Sequence, residues 1–261
     1  MTGMSFKTIE LAIADGVATL TFNRPDKLNS FNTEMHAEVR EALKAVQADT
    51  SVRCLLITGK GRGFCAGQDL ADEVAAADIG ATVEREYNPL VRTLTTLPMP
   101  VICAVNGTAA GAGANIALAC DIVLAARSAS FIQAFCKIGL VPDSGGTWTL
   151  PRVVGHARAM ALTVLGDKIS AEKAESWGMI WKCVDDADLM TEASKLAKHL
   201  ATQPTKGLAM TKQAIHAAGT NTLDQQLDLE RDLQAAAAAS DDFKEGVNAF
   251  LEKRAPVFKG A

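Results

Sequence analysis

Two glycine-rich loops, each fed by a short apolar run and followed by a helical pattern, constrain this chain more than any other feature of its sequence. Cys54 to Thr58 carries no charge, is too short for a stable helix and reads as a buried strand. It empties into Gly59-Lys60-Gly61-Arg62-Gly63, after which Leu90, Val91, Leu94 and Leu97 recur at helical steps. Pro98 and Pro100 end that helix, because proline removes a backbone donor and cannot sit inside one. Val101 to Val105 then repeats the pattern: a buried strand runs into Asn106-Gly107-Thr108-Ala109-Ala110-Gly111-Ala112-Gly113. Ile116, Leu118 and Ala119 open a buried helix that ends before a further strand, Ile122 to Ala126. Strand, glycine loop, helix and strand in this alternation predict an α/β core.

The flanks fill in the rest. Ile9 to Ile13 and Val17 to Phe22 flank Asp15-Gly16, a pair that supplies the positive φ of a tight hairpin turn. Met35, Val39, Leu43 and Val46 mark one face of an amphipathic helix. From Ser144 onward the pattern is almost wholly helical, over 157–165, 171–177, 189–201, 205–218 and 223–239, with Ser240 as the cap of a last helix reaching about Lys253. We expect a core over residues 1–195 that holds the active site, and a helical oligomerisation region over 196–261.

Charge and composition narrow the partners. Lysine and arginine number 26 against 30 acidic residues, without a run of like charge, which disfavours nucleic acid or an anionic membrane as the partner and favours a small molecule. No stretch approaches the roughly 18 apolar residues that span a bilayer, and Met1 to Lys7 has no apolar leader, so a cytoplasmic protein is expected. Six scattered cysteines, with no C-x-x-C pair, read as reduced core thiols rather than metal ligands or disulfides.

Glycine and alanine let a bulky group approach the main chain and leave N–H groups open. Phe64-Cys65-Ala66-Gly67-Gln68-Asp69-Leu70 and Gly111-Ala112-Gly113 are therefore candidates for the two halves of an oxyanion hole, although either alone is more often an ordinary turn. These blocks, with Asn23-Arg24-Pro25 and Leu28-Asn29, Ala104-Val105-Asn106-Gly107, Cys120-Asp121-Ile122, Gly139-Leu140-Val141-Pro142-Asp143 and the terminal Phe250-Leu251-Glu252-Lys253-Arg254 with Phe258, resemble the crotonase superfamily in order over essentially the whole chain. The resemblance implies a spiral of ββα units, a C-terminal helical trimerisation region, and a homotrimer or dimer of trimers. It also implies a bent acyl-CoA whose thioester oxygen meets the amides of Gln68 and Ala112, with Lys27, Leu28, Ala66, Asp69, Leu70 and Gly111 around the substrate. Coenzyme A is then part of the substrate, and no metal or separate cofactor is implied. Arg24, Lys253, Arg254 and Lys259 are further candidates for its phosphates, with Phe258 near the adenine.

The superfamily's hydratases use two glutamates, and here the matching positions are Asn115 and Phe135, neither of which transfers a proton near neutral pH. Water addition is disfavoured on chemistry. Asp143 remains: among Leu140, Val141, Pro142 and Trp148 it would lose hydration, its pKa would rise, and one carboxylate moving a proton between two carbons is an isomerase. From the residues alone the favoured reading is the N-cap of a helix starting at Ser144, and the resemblance turns it toward catalysis. The segment 139–148, Pro151-Arg152 and Trp177-Gly178-Met179-Ile180-Trp181 resemble a narrower branch, the ring-1,2-epoxyphenylacetyl-CoA isomerases of bacterial phenylacetate catabolism, which also shift double bonds in unsaturated acyl-CoA. A Δ3,Δ2-enoyl-CoA isomerase, an enoyl-CoA hydratase and a non-catalytic crotonase-like binding protein stay as alternatives. Asp143-Ser144-Gly145-Gly146 also mimics a serine-protease loop, but His36, His156, His199 and His216 all fall in predicted helices or at their starts, away from any triad pattern. A dinucleotide site fails on Ile116, which stands where the third glycine would be. The acyl-selecting walls are expected in 72–87 and at Phe135.

Overall fold

A computed structural model describes residues 5–260; Met1 to Met4, the start of the stretch read for a leader, lie outside it with Ala261. The Asp15-Gly16 turn, with both residues at positive φ, joins β1 (Ile9–Ala14) to β2 (Val17–Phe22) as an antiparallel hairpin. Asn32 then caps the helix Thr33–Ala48 by accepting from the Met35 amide, and that helix buries Met35, Val39, Leu43 and Val46 as its spacing requires.

The middle of the chain winds as a spiral. β3 (Cys54–Gly59), β5 (Val101–Val105) and β7 (Ile122–Ala126) each join one sheet, and the short strands that follow them, β4 (Gly63–Cys65), β6 (Thr108–Ala110) and β8 (Ser130–Ile132), each join another. With β9 (Lys168–Ser170) and β10 (Lys182–Val184) added, the larger sheet runs β1-β2-β3-β5-β7-β10 and the smaller β4-β6-β8-β9. Every pairing is parallel except β1 with β2 and β8 with β9, which fits strands separated by helical crossovers. The helices Asn88–Thr96 and Ala112–Leu118 lie between successive turns. β5 is buried along its full length, as is β3 up to Gly59, as expected for strands covered on both faces.

Two readings from sequence are corrected here. Each glycine loop contains a strand of the second sheet, which its small residues conceal because they carry no alternating apolar pattern. The region after Ser144 is likewise not wholly helical, since β9 and β10 interrupt it; three residues are too few to show a period. The boundary expected near residue 195 lies inside the continuous helix Leu189–Ala201, whose Leu189, Ala193, Ala197 and Ala201 are buried in the core.

Beyond it come helices Thr205–Ala218, Leu223–Ala238 and Asp241–Glu252, the last capped by Ser240 as read, with its hydroxyl accepting from the Phe243 amide at 3.1 Å. The tail is tied back by the buried Asp242, which accepts from the amides of Lys259 and Gly260 at 2.6 and 2.7 Å. Among the described residues no helix is long and apolar enough to cross a membrane.

The core closes beneath the glycine loops. Phe22, Phe31 and Phe64 meet there, with ring centroids 5.2 and 5.5 Å apart, joining β2, the entry to the first helix and β4. Gly113 presses directly on β4, so that a methyl group on it would overlap the Cys65 carbonyl. Gly113→Ala should therefore cost about 2–3 kcal/mol of stability, as overpacking against backbone does. Chemical denaturation would check this; an unchanged midpoint would mean that the helix is free to move off the strand.

Candidate active site

The chain pins the backbone around Gln68 from both sides. Phe31 donates its amide to the Gly67 carbonyl at 2.7 Å, and the Asp69 amide donates to the Phe31 carbonyl at 2.8 Å. In such a strand-like pairing successive peptide groups alternate in direction, so the intervening Gln68 N–H faces the other way, into a cavity of about 250 Å³. Ala112 contributes the second amide. It is the first residue of its helix, where N–H groups have no intrahelical partner. Among the described residues neither the Gln68 nor the Ala112 amide donates to a protein acceptor.

Glycine brings the two together. Gly67 has φ +88°, and a Cβ on it would sit 3.0 Å from the Ala110 carbonyl and 3.3 Å from the Ala112 nitrogen. The loops thus touch backbone to backbone. Gly111, at φ +53°, turns the chain from β6 into the helix while its amide is held by the Ile132 carbonyl at 2.9 Å.

Asp143 lines the same cavity, with Ala66, Asp69, Leu70 and Gly111. Its carboxylate accepts from the Ser144 hydroxyl at 2.9 Å. Its own carbonyl is held twice, by the Asn115 side chain at 2.8 Å and the Gly146 amide at 2.9 Å, and Asn115 is fixed in turn by Gln133 at 2.8 Å. The helix that follows is Gly146–Val154, and its N-cap is Gly145 with no side-chain cap. Asp143 is therefore not a helix cap: Ser144 and Gly145, both at positive φ, turn the chain between them, and only the Asp143 backbone reaches the helix. Burial pushes the Asp143 carboxyl above its ordinary value, with the Ser144 hydroxyl opposing.

Its surroundings differ in part from the expectation. Leu140 lines the cavity, but Val141 is 80% exposed and Trp148 stacks under the Arg152 guanidinium at 3.9 Å, facing a different surface. The remaining walls are Ile79, Thr82, Val83, Tyr87, Ala134, Phe135, Lys137 and Ile138, so Phe135 and the later half of the expected segment 72–87 line the chamber, and the described residues of 72–78 do not. Tyr87 was not singled out from sequence. A lone tyrosine in a polar stretch carries no signal until the helix that positions it is known.

Lys27 and Leu28 do not line the cavity. Lys27 is exposed at the end of the 3₁₀ turn Pro25–Lys27, and Leu28 adopts a left-handed conformation in which its carbonyl accepts from the Ala66 amide at 3.0 Å. Leu28 therefore supports the loop from behind. Arg24 is committed as well, to the Ser30 carbonyl and to Asp69 at 2.8 Å, and that pairing holds the Asp69 carboxyl below its ordinary value. Arg254 pairs with Glu245 and Glu252, and Phe258 lies over Gly246 at a separate groove.

The serine-protease mimicry ends here too, and Cys65 takes the core role read for it. Ser144 is buried and bonds to Asp143, with no histidine bonded to it among the described residues. Cys65 is buried, its sulfur accepts from the Gly67 amide at 3.4 Å, and burial pushes its thiol up to about 12, which makes it a brace for the loop.

Gln68, Ala112 and the half-buried Asp143 thus line one largely apolar chamber on a ββα spiral, and the chain belongs to the enoyl-CoA hydratase/isomerase family, which it matches over residues 12–261. It is 63% identical to the 1,2-epoxyphenylacetyl-CoA isomerase of Escherichia coli, over 95% of this chain and 97% of that one. It is 36% identical to the trans-2-decenoyl-[acyl-carrier-protein] isomerase of Streptococcus mutans, over 98% of this chain and all of the other. A crystal structure of an enoyl-CoA hydratase from a Polaromonas species superposes with a TM-score of 0.89 at 35% identity, covering 96% of this chain and 99% of that chain.

Because burial raises the folded-state pKa of Asp143, its carboxyl favours folding only where protonated: that contribution is present below the ordinary value of 3.8 and is lost as pH rises through the folded value. Asp143→Asn should accordingly melt above the wild type at about pH 7, with the gain shrinking as the pH falls toward the ordinary carboxylate range. Melting curves across pH would show it; a variant that melts no higher at neutral pH would mean that the carboxylate bears no desolvation cost.

Proposed function

We propose that this protein is an acyl-CoA isomerase that converts ring-1,2-epoxyphenylacetyl-CoA to oxepin-CoA in phenylacetate degradation, and shifts double bonds of unsaturated acyl-CoA by the same chemistry. The observation that carries the reading is a half-buried carboxylate, Asp143, that has no ion pair among the described residues, whereas Asp69 in the same chamber is paired with Arg24; Asp143 shares the chamber with Gln68 and Ala112, while Asn115 and Phe135 stand where a hydratase needs its acids. The 63% identity to the Escherichia coli isomerase supports the choice of acyl group.

In the proposed mechanism the thioester oxygen accepts from both amides. Asp143 removes a proton from the carbon beside the thioester, and the C–H electron pair moves onto the carbonyl oxygen as an enolate that the fixed amide dipoles stabilise. The electrons then return through the conjugated system and Asp143 delivers the same proton to a remote carbon. In the epoxide, the C–C bond shared by the two rings opens to give the seven-membered ring. No atom or electron is gained or lost, so the reaction balances without a metal or a redox cofactor, and coenzyme A enters only with the substrate. A raised pKa suits Asp143 to both halves of the cycle. The chamber walls Ile79, Val83, Phe135 and Leu140 are apolar and match an aryl ring.

The same reading includes assembly and setting. The C-terminal helices expose Ile215, Leu223, Phe250 and Leu251, apolar surface of the kind that self-association covers, and a homotrimer or dimer of trimers built on the region 196–261 would bury it. All six cysteines are free, which suits the reducing cytoplasm.

Asp143→Asn keeps the size of the side chain and removes the proton carrier. Isomerisation of the epoxide and of an unsaturated acyl-CoA should both fall by at least the roughly 10²–10⁴ of a lost acid–base group, with acyl-CoA affinity little changed. Near-normal turnover would sink the assignment. Hydration of crotonyl-CoA by the wild type should be slow or absent, because Asn115 and Phe135 neither activate water nor supply a proton. A rate like that of a dedicated hydratase would show that another group handles water.

A further inference from the structure

Tyr87 is buried to 2% exposure at the back of the acyl chamber, yet its hydroxyl does not address the chamber's contents. It donates to the Gln68 side-chain oxygen at 2.8 Å. His36 approaches the same oxygen through Nε2 at 3.4 Å and packs edge-on against the Tyr87 ring, with centroids 4.6 Å apart, while Phe31 stacks on His36 at 4.8 Å. Phe31 is also the residue whose backbone grips both neighbours of Gln68. The Gln68 residue is thus held at three points: the carbonyl before it, the amide after it, and its own side chain.

We propose that Tyr87, backed by His36, is a positioning residue that acts through the Gln68 side chain to fix the direction of the Gln68 amide, and so couples the wall of the acyl chamber to the oxyanion hole. The Gly67 carbonyl and the Gln68 N–H belong to one planar peptide group, so the bond from Phe31 sets the general direction of that N–H but leaves the group able to tilt about a single hydrogen bond. Anchoring the side chain removes that freedom. An oxyanion-hole donor is effective because it is already aimed before charge develops, so loss of aim costs rate rather than ground-state binding.

Local structure supports a dedicated role. Tyr87 closes a π-helical turn, Val83–Tyr87, set between the helical segments Ile79–Thr82 and Asn88–Thr96. A π turn is a costly irregularity that persists mostly where it places particular side chains. Here Val83 and Tyr87, at its two ends, both reach the chamber. Burial holds the Tyr87 phenol well above its ordinary value, so it stays a hydrogen-bond donor across the working pH range. Burial likewise lowers His36, which keeps the imidazole neutral beside the hydroxyl.

The inference rests on the enolate reading of the site, and the test separates the two. Deuterium exchange at the methylene of phenylacetyl-CoA would be followed by NMR for the wild type, Tyr87→Phe, Gln68→Met and the double variant, with the rate at saturation and the half-saturating concentration both measured. Tyr87→Phe removes one hydroxyl and leaves the ring; the saturated rate should fall roughly tenfold, short of the roughly 10²–10³ of losing a donor outright, with half-saturation and melting temperature little changed. Gln68→Met removes the acceptor from the other side and should cost about the same. The double variant should be no slower than either single one, because both changes cut one link. A Tyr87→Phe rate within twofold of wild type, or a double variant whose loss is the product of the single losses, would overturn the proposal. Absence of exchange in a wild type that binds the compound would overturn the enolate reading itself.

Discussion

The backbone of Gly67 lies so close to that of residues 110–112 that a methyl group there would press on it, and its φ of +88° disfavours any other residue; the rest of the site is arranged around this contact. It sets the separation of the Gln68 and Ala112 amides, and hence where a carbonyl oxygen between them would have to sit. Side chains could not hold two donors so firmly, since each would bring rotamers of its own. Gly113 serves the same end against β4, where its main chain meets the Cys65 carbonyl, and Gly111 supplies the positive φ of the turn into the helix. Dispersing these glycines through a spiral of short strands lets donors far apart in sequence be fixed with the rigidity of a sheet.

Beneath that contact the protein stabilises the loops with groups that carry no chemistry of their own. The Phe22, Phe31 and Phe64 cluster supports the Gln68 loop from the core, Cys65 accepts from Gly67, and the Arg24–Asp69 pair closes the outer side. Arg24 and Asp69 are only slightly exposed at their charged ends, which makes the pair a partly desolvated clamp rather than a surface ornament. Asp143 is fixed mainly through its backbone, its carbonyl accepting twice, while its carboxylate accepts from the Ser144 hydroxyl alone.

How much of this was legible in the sequence follows from which signals are periodic and which are not. The hairpin at Asp15-Gly16, the helix marked by Met35 to Val46 and the buried strands at 54–58 and 101–105 declare themselves through alternation, apolar runs and turn residues, and all appear where expected. The strands at 63–65, 108–110, 168–170 and 182–184 do not, since three residues show no period. At the site, the ordered glycine motifs placed Gln68, Ala112 and Asp143 around one cavity. Lys27 and Leu28 lie outside the cavity lining, because a motif fixes the path of the backbone without saying which side of it faces the chamber. Tyr87 fell within the expected wall segment, but its link to Gln68 was invisible for a different reason: it spans 19 residues, through a π turn that no local pattern announces.

The tie from Asn115 to the Asp143 carbonyl limits how this scaffold can change its chemistry. Asn115 works there as a donor, whereas an ionised glutamate offers only acceptors and would turn oxygen toward oxygen. Glutamate is also longer, and Gly146 already lies so close to the Asn115 side chain that even a methyl group would not fit between them. A water-activating acid at this position and an anchored Asp143 are therefore alternatives rather than neighbours on an evolutionary path. Passage between hydratase and isomerase would have to rebuild the 143–146 turn in the same step.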